Sequence, residues 1–343
     1  MKELSERQKH ILTMLIHEHI RSVEPVGSRL LVDQYNLDMS SATVRNELVA
    51  LTEAGYLRQP HTSAGRVPTE DGYRYFVGRL MRETTLPEDM QRTITHQFSQ
   101  AHSDLKQWMK LAASVLATQS RAASLITAPQ PDEVRFKHLE LIATHGRQAL
   151  AVLVLEGGQI SQRFITLDEP TSQEILTASA QRVTSALLGK DRDAVLKAAS
   201  MPDVLDAQLE NWVKEQMQLA SGSSGGEIIL DGLTNVLAEP EFAQSDEARR
   251  ALHLLEERSL LHDLLSNTAL GAANNDGVQV LIGGEGAWDD LRQCSVILSR
   301  YGTPGIATGT LGVIGPMRMS YAHSISLVRF LSSLMSEFVA EQW

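Results

Sequence analysis

The stretch Ser41-Ala42-Thr43-Val44-Arg45-Asn46-Glu47-Leu48-Val49-Ala50-Leu51 decides how this 343-residue chain is read. Val44, Leu48 and Leu51 recur at helical spacing and make one apolar face. Ser40 or Ser41 caps the start, the helix runs to Ala54, and Gly55 sits where a left-handed residue ends such helices. Ala42, Thr43, Arg45 and Asn46 lie near the N-terminal end, mostly off the apolar face. A recognition helix presents that end to base edges in the major groove. Arginine suits guanine, asparagine suits adenine, and threonine meets a thymine methyl or a polar edge. Ser40 and Ser41 can hold phosphate beside the helix N-terminus. The pattern alone does not decide for DNA, because helix-turn-helix shapes also occur in proteins that bind none.

The flanks narrow the choice. Leu4, Ile11, Leu12, Leu15, Ile16 and Ile20 predict a helix from Ser5 to about Arg21, and Pro25 and Gly27 break the chain after it. Ser28 is the predicted cap of a second helix to Tyr35, with a turn at Asn36-Leu37-Asp38. After Gly55, Tyr56 to Pro60 reads as a strand, His61-Thr62-Ser63-Ala64-Gly65 as a turn, and Arg66-Val67 as the returning strand before Pro68. Thr69 caps a helix over Glu70–Arg82. Three helices, a hairpin and a helix make the order of a winged helix-turn-helix. The hairpin tip is small, polar and cationic, which suits phosphate or the minor groove, and Gly65 permits a tight turn. A solvated surface turn is the plainer reading of that tip.

Beyond Pro87 the composition is helical to Ile126, until Pro129 and Pro131. Strands are predicted at His138–Thr144, Ala149–Leu155 and Gln159–Leu167, with Gly157-Gly158 as a hairpin turn. Residues 171–220 read as helix with breaks at Gly189 and Pro202, and residues 221–226 as a flexible Ser/Gly loop. A strand at Glu227–Asp231, a helix over 245–266, strands at 278–283, 293–301 and 305–314, and a helix from Tyr321 to Val339 complete an α+β pattern.

Charge is divided along the chain. The net charge is −11, yet residues 1–82 hold 11 Lys+Arg against 10 Asp+Glu, and the remainder holds 20 against 32. DNA binding needs a local basic face, not a basic whole, and an acidic body weakens non-specific attachment to phosphate. The same charge also serves plain solubility. Cys294 is the single cysteine, which excludes an internal disulfide and a cysteine-based zinc cluster. The sequence has neither a membrane-spanning apolar run nor a signal peptide pattern, so a cytoplasmic location is expected.

Other motifs carry no chemistry. Gly283-Gly284-Glu285-Gly286 lacks the third glycine of a dinucleotide fingerprint and the lysine of a P-loop, and reads as a tight turn. His17-Glu18-His19 places its histidines on different helix faces, so it is no metal motif. Cys294 lies in an apolar strand and reads as a core thiol. Gly309, Gly312 and Gly315 are read as sites of close backbone packing. No catalytic, cofactor or metal residues are assigned, and no enzyme activity is expected.

Several strings together resemble the HrcA family of bacterial heat-inducible transcription repressors. They are Glu24-Pro25-Val26-Gly27-Ser28-Arg29, Ser41 to Glu47, Gly55-Tyr56-Leu57, Gln59 to Pro68 and Gly72-Tyr73-Arg74-Tyr75. In the C-terminal half they are Gly232 to Leu237, Pro240-Glu241-Phe242, Cys294-Ser295-Val296 and Gly312 to Met319. The resemblance implies an N-terminal winged helix (1–82) and a GAF-like α/β domain in two parts (83–170 with its linker helix, and 227–343). It also implies an inserted, largely helical dimerisation segment (171–226). It further implies a homodimer on the inverted repeat called CIRCE, upstream of chaperone operons, kept active by the GroEL chaperonin. The DNA-binding residues expected are Ser41, Ala42, Thr43, Arg45, Asn46, His61, Thr62, Ser63 and Arg66. The rival reading is a ligand-sensing GAF-domain regulator of another regulon.

Overall fold

The computed structural model describes residues 4–81, 84–101, 104–131, 134–156, 160–222, 227–240, 242, 261, 277–283 and 291–342. The expected helix at 245–266, apart from Leu261, the Gly157-Gly158 turn and residues 284–286 lie outside the described residues. The chain divides into two compact units. One holds Met1–Ile126, Ile228–Arg300 and Thr310–Leu334; the other holds Thr127–Glu227, Tyr301–Gly309 and Met335–Trp343.

The first unit begins with α1 (Glu6–Ser22), capped by a reciprocal pair: Ser5 accepts from Gln8 N, and Gln8 reaches back to the Ser5 backbone. Ile11, Leu12, Leu15 and Ile16 are fully buried on one face. Helix α2 (Ser28–Tyr35) follows, and α3 (Ser41–Glu53) buries the predicted stripe Val44, Leu48 and Leu51. Ser28 does not cap α2: it is the first helical residue and Gly27 holds the cap position without a side-chain bond. The hairpin β1 (Leu57–Arg58) and β2 (Val67–Pro68) pairs Leu57 with Pro68 and Arg58 with Val67. The returning strand thus starts one residue later than the sequence predicts. Arg66 is occupied elsewhere, forming a backbone bridge with Val26 in both directions at 2.8 and 2.9 Å.

Thr69 caps α4 (Glu70–Tyr75), which does not continue as α-helix to Arg82. It widens into a π-turn over Phe76–Leu80, and Met81 is extended. Two further helices, α5 (Glu88–Gln100) and α6 (Leu105–Ser120), precede β3 (Ala123–Thr127). The sequence reading carried the helix through Ile126. Arg121, with φ +53°, ends it instead, and the wholly buried run Ala123–Thr127 becomes an inner strand. Ser124 Oγ donates to Ala113 O at 2.8 Å and ties that strand to α6.

The sheet of this unit runs β8 (Ile228–Asp231), β3, β11 (Ala307–Pro316), β10 (Cys294–Thr303), β9 (Val278–Ile282). A Cβ on Gly312 would lie 2.1 Å from Ile297 O, so β11 sits against β10 only as glycine at that point. A short helix, α10 (Leu233–Leu237), follows β8, and the helix α11 (Tyr321–Gln342) closes the chain. Cys294 is buried in this sheet's core, as its apolar surroundings predict.

The second unit contains β4 (Gln130–Pro131) and an antiparallel meander of β5 (Phe136–Ala143), β6 (Gln148–Leu155) and β7 (Ile160–Thr166). Strict alternation on β6 sends Ala149, Ala151, Leu153 and Leu155 inward. They meet α7 (Gln173–Leu187) and α9 (Val204–Gly222) through Leu176, Ala180, Val183, Leu209, Trp212, Val213 and Met217, with the short α8 (Arg192–Leu196) between. Ser221 and Gly222 belong to α9 rather than to a loop; residues 223–226 lie outside the described residues. The buried Asp206 carboxylate joins the two long helices by accepting from Ser179 and Arg182 of α7 at 2.5 Å each.

The other face of the meander is open. Register aligns Ile142, Leu150 and Phe164 in one row, and His138, Val154 and Ile160 in another. Phe164 is 64% and Ile160 65% exposed.

Candidate nucleic-acid interface

Helix α3 begins at a working cap. Ser40 Oγ accepts from Thr43 N at 3.1 Å and lies 2.9 Å from Thr43 Oγ1. The Thr43 hydroxyl is thus tied into the cap and half-buried, while Ser41, Ala42, Arg45 and Asn46 are exposed on the same two turns. Glu47 points elsewhere: it pairs with Arg7 of α1 at 2.6 Å and is 12% exposed. That pairing holds α1 to α3 and offsets a carboxylate that would repel phosphate. His17 on α1 packs edge-on against Phe76 at 5.4 Å, and burial lowers its pKa, which favours the neutral ring.

The hairpin tip is braced from below. Gln59 Nε2 donates to Thr62 O at 2.9 Å and to Ala64 O at 3.0 Å, and Ala64 N donates to His61 O at 2.9 Å. His61, Thr62 and Ser63 are exposed above that brace. Gly65 has a different purpose from the tight turn expected of it: a Cβ there would come within 2.5 Å of the Val26 carbonyl. Glycine allows the hairpin to touch the chain between α1 and α2. Arg66 is half-buried, and its Nε donates to Thr52 Oγ1 at 3.0 Å. Thr52 in turn donates to Leu48 O at 2.7 Å, so the hairpin rests on the last turns of α3.

The structure therefore brings Ser41, Ala42, Arg45 and Asn46 together on one exposed helix end and His61, Thr62 and Ser63 on one exposed tip. It gives Thr43 and Arg66 structural tasks as well. Sequence reasoning assigned no contact to Gln59, whose side chain shapes the tip, or to the exposed Arg29, and counted the exposed Arg58 only as part of the basic stretch 58–82. Gln59 stands in the quoted string ending at Pro68, but its amide partners are backbone groups that no residue pattern announces. Among the described residues no His, Cys, Asp and Glu cluster can hold a metal ion, and no helix is long and apolar enough to cross a membrane.

Comparison with known proteins adds the lineage. Residues 106–325 match the family described as HrcA protein C terminal domain. The chain belongs to the HrcA family. A heat-inducible transcription repressor HrcA of Roseiflexus castenholzii is 45% identical over 99% of this chain and 95% of its own. The HrcA repressor of Chloroflexus aurantiacus is 41% identical over 98% of this chain and 94% of its own. A crystal structure titled only as a hypothetical protein covers 99% of both chains at 22% identity with a TM-score of 0.59, and shares the fold. These relatives are named heat-inducible transcription repressors, and the mixed α/β architecture agrees with that solved fold.

Proposed function

We propose that residues 4–81 form a winged helix-turn-helix that binds double-stranded operator DNA, and that the chain represses chaperone operons through it. The observation that carries this reading is the exposed first two turns of α3, with Ser41, Ala42, Arg45 and Asn46, held in one body with the exposed tip His61–Ser63. Arg45 and Asn46 read base edges. Ser41, His61, Thr62, Ser63 and the cationic end of Arg66 hold the backbone or minor groove. Ala42 and the methyl of Thr43 offer apolar contact to thymine.

The operator is the inverted repeat CIRCE, and the protein binds it as a homodimer, since a two-fold operator matches a two-fold protein. The dimer seam is assigned to the outer face of β5–β7. The exposed Ile142, Phe164 and Ile160 beside Leu150 and Val154 support that assignment, because large exposed apolar faces mark interaction sites. The GAF-like parts are 83–170 and 227–343, and this seam lies on strands before the 171–226 segment that the resemblance implied for dimerisation. Footprinting on a chaperone operon's upstream region tests the reading: both arms of the repeat become protected. Protection no stronger than on random DNA refutes it.

GroEL dependence is proposed on family membership. A body only a few kcal/mol from unfolding loses its dimer geometry on heating. Operator affinity should then return after heating and cooling only when chaperonin is present. Full recovery without chaperonin removes this part of the proposal.

A further inference from the structure

The string Gly72-Tyr73-Arg74-Tyr75 takes no part in the interface above. It lies on α4, and α4 and the segment after it meet the C-terminal half of the same unit at several points. Arg74 Nη2 donates to Ile282 O at 2.8 Å, at the end of β9, the outermost strand of the sheet among the described residues. Glu70 Oε2 stands 3.1 Å from Arg74 Nη2 and Asp71 Oδ1 3.0 Å from Nη1. Glu70 also lies flat on Gly283, where a Cβ would come within 2.4 Å of Glu70 Cδ. The Tyr73 ring meets that of Tyr321 at 5.9 Å. Tyr321 is itself fixed by Ser295 at 2.7 Å and Met317 O at 2.6 Å. Past the π-turn, Thr84 Oγ1 is 3.1 Å from Ser326 Oγ, and Ser326 Oγ is 2.5 Å from Thr84 O.

These contacts differ in kind. Ring packing and hydroxyl bonds resist separation, but a planar guanidinium held by two carboxylates also resists rotation, because its donors point in fixed directions. Its acceptor is a carbonyl whose direction the sheet sets. Two tethered heads gain affinity from each other only when geometry lets both engage at once. A head attached by chain alone could swivel; the Arg74 bond to Ile282, its donor aimed by Glu70 and Asp71 of the same helix, opposes that turn.

We propose that Arg74 is a positioning residue for operator binding: clamped by Glu70 and Asp71, it docks the DNA-reading head on the Ile282 carbonyl and so sets the spacing between the two heads of a dimer. This rests on the dimeric repressor reading above. The test uses the full-length protein and three DNAs: the inverted repeat, the repeat with two extra central base pairs, and a single half-site. Two base pairs turn one arm by about 70° relative to the other.

The wild-type protein should bind the lengthened repeat about a hundredfold more weakly than the intact one. Arg74→Ala should weaken the intact repeat about tenfold and lose only about threefold more on insertion, with half-site binding unchanged. Arg74→Lys, which keeps the charge but not the fork, should fall between. Thr84→Val, which removes a hydroxyl and leaves Arg74 in place, should keep the wild-type spacing preference. A wild-type profile in Arg74→Ala overturns the proposal, and so does an equal loss on the half-site, which would mark a role in folding the head. If Arg74→Ala does not fold, Arg74→Lys decides by its spacing profile alone. A wild-type protein indifferent to spacing overturns the dimeric reading itself, a result distinct from either.

Discussion

Phe164→Ala tests the symmetric seam, and the structure sets the size of the effect. Phe164 is 64% exposed on the outer face of β7. A phenylalanine presents about 200 Å² when fully open, so about 130 Å² remains to be covered by a partner. At about 25 cal/mol per Å² that is about 3 kcal/mol, of which alanine retains about 1. A two-fold seam contains the residue twice, so the dimer loses about 4 kcal/mol. Each 1.4 kcal/mol is tenfold, and the dimer–monomer midpoint should rise about a thousandfold. Sedimentation across nanomolar to micromolar protein measures it. Leu188, 62% exposed at the end of α7 and off that face, is the control, and Leu188→Ala should leave the midpoint in place. A Phe164→Ala midpoint within about threefold of wild type would refute the assignment, since the area it removes is too large to vanish in a buried seam.

Arg45→Ala should cost about 1–3 kcal/mol on the operator and much less on random DNA, read by competition binding. Arg66→Ala should weaken both DNAs alike and lower the salt slope by about 1; it should also reduce the melting temperature, because its bond to Thr52 is lost. Ser40→Ala should destabilise the head by about 1 kcal/mol in denaturant titration, through loss of the cap on Thr43 N. Burial pushes the Cys294 thiol from its ordinary value near 9 up to about 12. The native thiol should therefore alkylate about a thousandfold more slowly than the unfolded one at pH 8. The stability that the buried neutral thiol contributes is full below pH 9 and is lost as pH rises toward 12, because only the unfolded state ionises there. Rapid native labelling at pH 8 would contradict both statements.

Helices α1 and α3 were legible because their signals are local, whereas the cap of α2 and the π-turn after α4 were not. A 3.6-residue stripe on α1 and α3, a serine cap and Gly55 at φ +86° all act within one or two turns. The α6–β3 junction was not. Ala123–Thr127 is a short apolar run, and periodicity does not distinguish a buried strand from more helix at that length. Its neighbours β8 and β11 decide it, and they lie more than a hundred residues further along the chain. The hairpin register failed for a similar reason: Val26, forty residues earlier, claims the Arg66 backbone. At the site, residue types were enough to pick out the exposed group, but not to show that Thr43 and Arg66 also hold structure. The Arg74 contact could be quoted as a string yet not understood, since Ile282 lies 208 positions away.

Thr52 is the hub on which α3 and the wing converge, accepting from Arg66 and donating to Leu48. It sits at the opposite end of α3 from Ser41–Asn46. The residues proposed to read the operator can therefore drift among related genes without unseating the hairpin. On the proposed reading, substitution at positions 41, 42, 45 and 46 should change which sequence is recognised, whereas substitution at Thr52 should loosen the hairpin from the base of α3. A lineage that duplicates this repressor has an open route to a second regulon: vary the tip of the helix and leave its base alone.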